Sequence, residues 1–313
     1  MITDPKIAIL LSTYNGTKYL EEQLDSILNQ TYSNYVIVAR DDGSYDDTIQ
    51  LLNKYAKKFT DKFHLLEQDL LNLGASDSFS YLIEYVLENK QSLGLESAYM
   101  MFCDQDDIWS LEKIHKQIDE MLKVEKQQTG TKPMPVLIHS NLRVVSEEKS
   151  LIAESFVHYQ GLEIERNRFT NLVISNVVTG CTAFINEALA RKAVPVSKEA
   201  IMHDWWLALV AAAFGKVIFL AKPLVRYRQH DSNTIGAKEF VKPVPNSRSF
   251  WGKVFGRKPN EHLYEVARQA KEFQRRFGSE LGFKENLGLK ISACMSARVG
   301  IIQRVFYRIA RRF

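Results

Sequence analysis

Three short polar clusters interrupt apolar runs in the first third of the chain, and their residue types suit a phosphorylated ligand. Ser12-Thr13-Tyr14-Asn15-Gly16 follows Ile7–Leu11, Asp41-Asp42-Gly43-Ser44 follows Val36–Ala39, and Asp104-Gln105-Asp106-Asp107-Ile108-Trp109 follows Tyr99–Phe102. The three carboxylates of the last cluster repel one another unless a cation neutralises them, and hard divalent ions such as Mg2+ or Mn2+ select carboxylate oxygens. Magnesium-type sites often complete their coordination with substrate phosphates. Taken alone, the Asp-x-Asp also reads as a helix cap for the segment starting at Ser110, and Asp41-Asp42 as a turn before a capped helix.

The elements that must position these clusters alternate. Ile7–Leu11, Val36–Ala39, Phe63–Leu66, Tyr99–Phe102 and Val136–His139 read as strands. Helical spacing occupies Thr17–Gln30, a segment with Ser44 as N-cap and Asp47 three residues on, and segments near 76–89 and 110–126. Such alternation predicts βαβ units, a mostly parallel sheet and helices on both faces. In open sheets of that kind ligands bind beyond the carboxyl ends of the strands, where the three clusters fall.

Composition narrows the class. The chain has 313 residues, 45% hydrophobic and 25% charged, with 15 Gly and 8 Pro, which excludes collagen-like and disordered chains. No apolar run reaches the roughly 18 residues of a spanning helix, and Ile7–Leu11 is too short for a signal core. Cys103, Cys181 and Cys294 form no Cys-x-x-Cys pair, so a disulfide framework and a cysteine zinc site are excluded and a reduced, intracellular protein is expected. The net charge of +4 is uneven: residues 248–313 hold 15 Lys or Arg against 5 Glu, so the rest of the chain is acidic.

With the later His203-Asp204-Trp205-Trp206, the three clusters resemble the family 2 glycosyltransferases of the GT-A fold, over roughly residues 5–235 and in the family's order. The resemblance implies a Rossmann-like, mostly parallel mixed sheet over 1–238, with a linker and basic helical region over 239–313. It also implies roles. Ser12, Thr13 and Tyr14 would hold the nucleotide, with Tyr14 stacked on the base. Asp41 would accept the N3–H of uracil or thymine, Asp104 would lie by the ribose, and Asp106 would bind a Mn2+ or Mg2+ ion gripping the diphosphate. Asp204 would be the general base. His230 would contact diphosphate or metal, and Thr179-Gly180 would border the sugars. Trp205 is a candidate for stacking on a sugar ring, whereas Trp206 reads as core. His203 stands where the family often has Glu, and it is the next suspect for the base. His203-Asp204 and His230-Asp231 also resemble fragments of an HD-type phosphohydrolase, but these acids follow strands and that fold is all-helical.

The implied reaction is inverting transfer from a nucleoside diphosphate sugar, without a covalent intermediate. Phe102-Cys-Asp-Gln-Asp-Asp-Ile-Trp, Thr-Gly-Cys-Thr-Ala-Phe and His-Asp-Trp-Trp look most like bacterial rhamnosyltransferases of cell-wall rhamnan and polysaccharide synthesis. Those use dTDP-β-L-rhamnose and extend a polyprenyl-diphosphate-linked glycan with an α linkage. A UDP-hexose or UDP-N-acetylhexosamine donor would use the same base contact. A catalytically silent glycan-binding or scaffolding partner is the reading from another class. A sugar nucleotidyltransferase is disfavoured because Ser12–Lys18 lacks a glycine-rich loop. A linker is expected at Lys238–Ser249, followed by helices carrying Leu263, Val266, Ala270, Phe273, Phe277 and then Ile291, Met295, Val299, Ile302, Phe306, Ile309, Phe313 on one stripe. The second, with Arg304, Arg308, Arg311 and Arg312 opposite, suits an anionic membrane surface, so a peripheral protein on the cytoplasmic leaflet is expected. Packing on the catalytic domain or in a homodimer would use the same stripes. Nucleic acid is not expected, because the aromatics lie on the apolar stripe instead of between the arginines.

Overall fold

Ile7–Leu11 is apolar without alternation, the pattern of a strand covered on both faces. The computed structural model buries all five side chains completely. It describes residues 4–312 apart from 69, 70, 131, 232, 234, 235, 238 and 240–258. Along the chain the elements are β1 (Ile7–Thr13), α1 (Thr17–Leu28), β2 (Tyr35–Asp41), α2 (Thr48–Lys58), β3 (Phe63–Leu65), α3 (Ala75–Glu88), β4 (Tyr99–Cys103), β5 (Ile108–Trp109), α4 (Lys113–Lys126), β6 (Val136–Val145), β7 (Leu151–Ala153), α5 (Phe156–Gln160), α6 (Phe169–Leu172), β8 (Phe184–Ile185), α7 (Glu187–Ala193), α8 (His203–Phe214) and β9 (Lys216–Arg228). After the undescribed stretch come α9 (Glu261–Phe277), α10 (Phe283–Ala293) and α11 (Gly300–Ala310).

The strands form one sheet in the order β3-β2-β1-β4-β8-β6-β9-β5, with β7 added to β6. Neighbours among β1 to β4 run parallel, β8 inserts antiparallel between β4 and β6, and β9 runs parallel to β6. This is the mostly parallel mixed sheet that the alternation implied, with the GT-A arrangement of helices. Side-chain alternation divides β1 between two cores. Ala8 and Leu10 face α3, α8 and α9, whereas Ile7, Ile9 and Leu11 face α1, α2 and α4. Thr13 is in register with Asp41 and Leu11 with Cys103, so all three polar clusters leave the sheet at one edge.

Two local expectations fail. The helix after Asp41-Asp42-Gly43-Ser44 starts at Thr48, and Ser44 does not cap it, because its hydroxyl donates to Asp41 Oδ1 at 2.6 Å. Asp46 takes over, accepting from the Thr48 amide at 3.0 Å and from the Thr48 hydroxyl. The expected continuous helix over 291–313 is broken. A 3-10 turn at Cys294–Ser296 and extended backbone at Ala297 and Val299 separate α10 from α11. The physical reason is Gln303: its buried amide donates to the Met295 carbonyl at 3.0 Å, replacing the helical partner there. In consequence Gly300, Gln303 and Ala310 face inward, Met295 is buried, and Val299, Ile302, Val305 and Ile309 are exposed.

The Leu263–Phe277 stripe lies within α9 and packs on the core shared by α3 and α8. Phe273 and Phe277 lie 5.3 and 6.1 Å from the ring of Trp206, which is fully buried in α8. The linker expected at Lys238–Ser249 lies outside the described residues except for Glu239, as does Phe313. Among the described residues no helix is long and apolar enough to cross a membrane.

Candidate active site

Beyond the carboxyl ends of β1 and β4 lies a cavity of about 870 Å3. Ser12, Thr13, Tyr14, Asp104, Asp106, Thr179, Gly180, His203, Asp204 and Trp205 all line it. Ten of the twelve residues singled out in the sequence therefore share one space; Asp41 and His230 stand behind its wall.

On the β1 side the protein fixes each group. Ser12 Oγ lies 2.8 Å from Ser78 Oγ, and the Thr13 hydroxyl donates to Asp41 Oδ1 at 2.9 Å. Tyr14 is 44% exposed and its ring meets Tyr45 edge-on. Its backbone is clamped by Gln105, which accepts from the Tyr14 amide at 2.7 Å and donates to the Tyr14 carbonyl at 2.9 Å. That clamp explains Gly16: a Cβ there would stand 2.3 Å from Gln105 Oε1. Asp41 is buried, its carboxylate accepting from Thr13 Oγ1, Ser44 Oγ and the Ser44 amide. Asp42 lines the cavity but is engaged by the buried guanidinium of Arg40 and by the amides of Leu73 and Gly74, both at 2.8 Å. Asp42 thus anchors the loop ahead of α3.

The acidic cluster divides three ways. Asp106 Oδ2 lies 2.9 Å from His230 Nε2 and 3.4 Å from Asn233 Nδ2, at the cavity wall. Asp104 faces the same space, and burial, then Asp106 and Asp204, push its carboxyl up to about 7. Asp107 turns inward and is fully buried, with its Oδ1 accepting from the Arg228 amide at 3.3 Å. Burial first, then Asp106 and Asp104, raises its carboxyl far above the usual range. Below it Lys113 is held over the Trp109 ring at 3.7 Å, and burial lowers its ammonium to about 8. Ligand atoms of Asp104, Asp107 and Cys181 lie within 4.8 Å of one another. Burial raises the carboxyl of Asp107 and the thiol of Cys181, and neither lines the cavity, so that trio is turned away from the space a substrate would enter. Asp106 does line the cavity, and with the His230 imidazole directly behind it the pair offers O and N donors that suit a divalent ion better.

Asp204 faces this cluster from the start of α8. It is 8% exposed, and burial raises its carboxyl to about 7, against the pull of hydrogen bonds from the Trp205 and Gly180 amides and from Asn176. The Trp205 amide is 2.6 Å from Asp204 Oδ1, and Asn176 Nδ2 is 3.4 Å from the same oxygen. A carboxylate tuned to neutral pH beside a polar cavity can take a proton at working pH. His203 is the weaker base. Burial between Phe79 and Phe102 lowers it to about 3, and neither ring nitrogen has a hydrogen-bond partner. Gly180 packs over it, since a Cβ there would lie 3.2 Å from His203 Nε2. Trp205 is almost wholly buried and its indole donates to the Leu172 carbonyl at 2.6 Å, so it forms wall more than platform. Trp206 is core, as expected.

Among the cavity residues to which sequence reasoning gave no role are Asn176, Asn233, His262 and Glu265. Asn233 carried a faint signal, three residues after His230 in the loop leaving a strand. His262 and Glu265 carried none.

The sheet, its strand-end acids and the facing carboxylate define an α/β protein of the GT-A glycosyltransferase class. The chain belongs to glycosyl transferase family 2, whose pattern it matches over residues 8–191. It is 27% identical over 237 residues to the dTDP-rhamnosyl transferase RfbG of Shigella flexneri, covering 72% of this chain and 74% of that one. Among solved structures it is similar to S. aureus TarS 1–349 in complex with UDP-GlcNAc, with a TM-score of 0.58, 16% identity, and coverage of 93% of this chain and 71% of that one. It is also similar to the mannosyltransferase PcManGT of Pyrobaculum calidifontis in complex with GDP-Man and Mn2+, with a TM-score of 0.50, 13% identity, and coverage of 99% and 80%.

Proposed function

We propose that the protein is an inverting glycosyltransferase that moves L-rhamnose from dTDP-β-L-rhamnose onto a lipid-linked bacterial cell-wall or capsule glycan, forming an α linkage. The observation that carries this reading is Asp204, a carboxyl raised to about 7 in the same cavity as Asp104 and Asp106. The likeness to RfbG over most of both chains supports the rhamnosyl donor.

Tyr14 stacks on the base, and Thr13 presents the sugar nucleotide with Asp41 behind it. Asp41 reads N3–H with the lone pair left on Oδ2. Asp104 lies by the ribose. Asp106 and His230 would hold a divalent ion, as Mn2+ accompanies GDP-Man in the structural neighbour, and such an ion would supply charge neutralisation for the departing diphosphate. Asp204 accepts the proton of the attacking hydroxyl as it bonds to the anomeric carbon from the face opposite the nucleotide. General-base help of this kind contributes roughly 10²–10⁴-fold. Thr179, Gly180, His203 and Trp205 wall the sugars.

The acceptor is a polyprenyl-diphosphate-linked glycan, presented at the inner face of the cell membrane. Val299, Ile302, Val305 and Ile309 face outward from α11 beside exposed Arg298, Arg308 and Arg312, which suits an anionic lipid surface. A homodimer through that face is the competing use. A second donor reading, a UDP-sugar, draws on UDP-GlcNAc bound to TarS and on the same pyrimidine contact.

The test is nucleoside diphosphate release from dTDP-rhamnose, UDP-glucose and UDP-N-acetylglucosamine with Mn2+, beside Asp204→Asn. Release from dTDP-rhamnose, lost in the variant, is expected. Release from UDP-sugars alone overturns the donor, and release that persists in Asp204→Asn overturns the base.

A further inference from the structure

Helix α9 lies outside the segment that matches the family, yet its first turns enter the wall of the cavity that holds Asp204. Its place is fixed on three sides. Val266, Ala267, Ala270, Phe273 and Phe277 are buried against the core that includes Trp206. Buried Gln269 accepts from the Ile201 amide at 3.0 Å, two residues before His203, so α9 and the base-bearing end of α8 are held in register. At its start Asn260 caps the His262 amide, and the Asn260 amide donates to Gln303.

This anchoring delivers His262 and Glu265 to the cavity. The His262 ring lies 5.8 Å from that of Trp205, the residue after Asp204. The two side chains are 3.4 Å apart and a little over half exposed. An exposed pair three residues apart contributes little to stability. What distinguishes this one is the space it faces. Asp42, Asp204 and Asn176 are already engaged by protein groups, whereas His262 and Glu265 leave donors and acceptors open to the cavity. Their position also separates them from the nucleotide side, since Ser12, Thr13, Tyr14, Asp104 and Asp106 follow β1 and β4, and α9 stands against α8.

We propose that His262 and Glu265 form an acceptor subsite that hydrogen-bonds hydroxyls of the neutral pyranose whose own hydroxyl Asp204 deprotonates. The subsite rests on the glycosyltransferase reading of the cavity. Neutrality of the reacting ring follows from charge: Glu265 adds a carboxylate to a space already lined by Asp104, Asp106 and Asp204, and that field repels a pyranose that itself bears a phosphate or a carboxylate. The basic C-terminal region is then part of the active site through α9, apart from any surface role of α11.

The experiment separates donor from acceptor. Full-length protein, His262→Ala and Glu265→Gln are given the sugar nucleotide that wild type cleaves. Hydrolysis in water is compared with transfer to octyl α-L-rhamnoside, octyl β-D-glucoside and octyl N-acetyl-β-D-glucosaminide, with octyl β-D-glucuronide as the anionic control. The expected result is a rise of about ten-fold in acceptor KM in each variant, with hydrolysis and donor KM within two-fold of wild type and unfolding midpoints unchanged. An acceptor KM unmoved in both variants overturns the subsite, as does a parallel fall in hydrolysis. Hydrolysis with transfer only to the glucuronide, or to none, overturns the neutral pyranose. Absence of cleavage of any sugar nucleotide by wild type overturns the transferase reading beneath it, which is a different failure.

Discussion

Removing the Asn176 amide moves the acid limb of the pH–rate profile upward. Asp204 ionises near 7 because burial opposes its charge, and Asn176 Nδ2, 3.4 Å from Oδ1, partly offsets that penalty. Asn176→Ala deletes a bond that favours the ionised form, so the carboxyl rises further. A hydrogen bond to a charged group contributes about 1.5–3 kcal/mol at good geometry, and at 3.4 Å about half the lower figure remains. At 1.36 kcal/mol per pH unit, that is about half a unit. The assay is kcat/KM for donor turnover from pH 5 to 9, which reports groups in the free enzyme. Wild type is expected to lose activity below about 7 and Asn176→Ala below about 7.5. Asp104 also ionises near 7, so the series is repeated in Asp104→Asn, and a limb that persists near 7 there belongs to Asp204. Asn176 also spans the Val178 amide and carbonyl, and donor KM reports whether that loop has moved. A wild-type limb near 4, or a downward shift in the variant, would refute the reasoning.

Other outcomes follow from the same geometry. Asp204→Asn stabilises the fold above pH 7: the folded-state carboxyl is raised, so stability present below pH 4 is lost as pH rises through about 7, and urea unfolding at pH 8 should show a gain on the order of 2–4 kcal/mol that vanishes near pH 3. Gly16→Ala displaces the Gln105 clamp on Tyr14 and weakens dTDP binding several-fold by calorimetry, about 1 kcal/mol, with little change in unfolding midpoint. Chelation of divalent ions and Asp106→Asn both abolish turnover, and Mn2+ restores only the wild type. Ile302→Glu with Val305→Glu abolishes sedimentation with anionic liposomes while leaving transfer to a soluble acceptor within two-fold; sedimentation that persists removes α11 from the membrane account.

The strand-end clusters were legible because each interrupts a run too apolar to be anything but a covered strand, and parallel topology gathers such ends on one edge. Their division of labour was not. Asp41 and Asp42 are adjacent and chemically identical, and only folding decides that one supports Thr13 while the other holds the Leu73–Gly74 loop. Asp106 and Asp107 separate likewise in the turn between β4 and β5, one meeting His230 at the cavity wall and the other buried in the core. The apolar spacing from Ile291 onward read as one helix, since the buried Gln303 amide that stops it lies eight residues from the carbonyl it satisfies. His262 and Glu265 look like any solvated helix face until α9 is placed against α8.

The central claim is inverting transfer with a single base, and the product's anomeric configuration tests it most directly. NMR of the glycoside formed from dTDP-β-L-rhamnose by wild type should show an α linkage, and Asp204→Asn should form none. A β-linked product would mean retention, and the account of Asp204 as the lone base opposite the leaving nucleotide would be wrong.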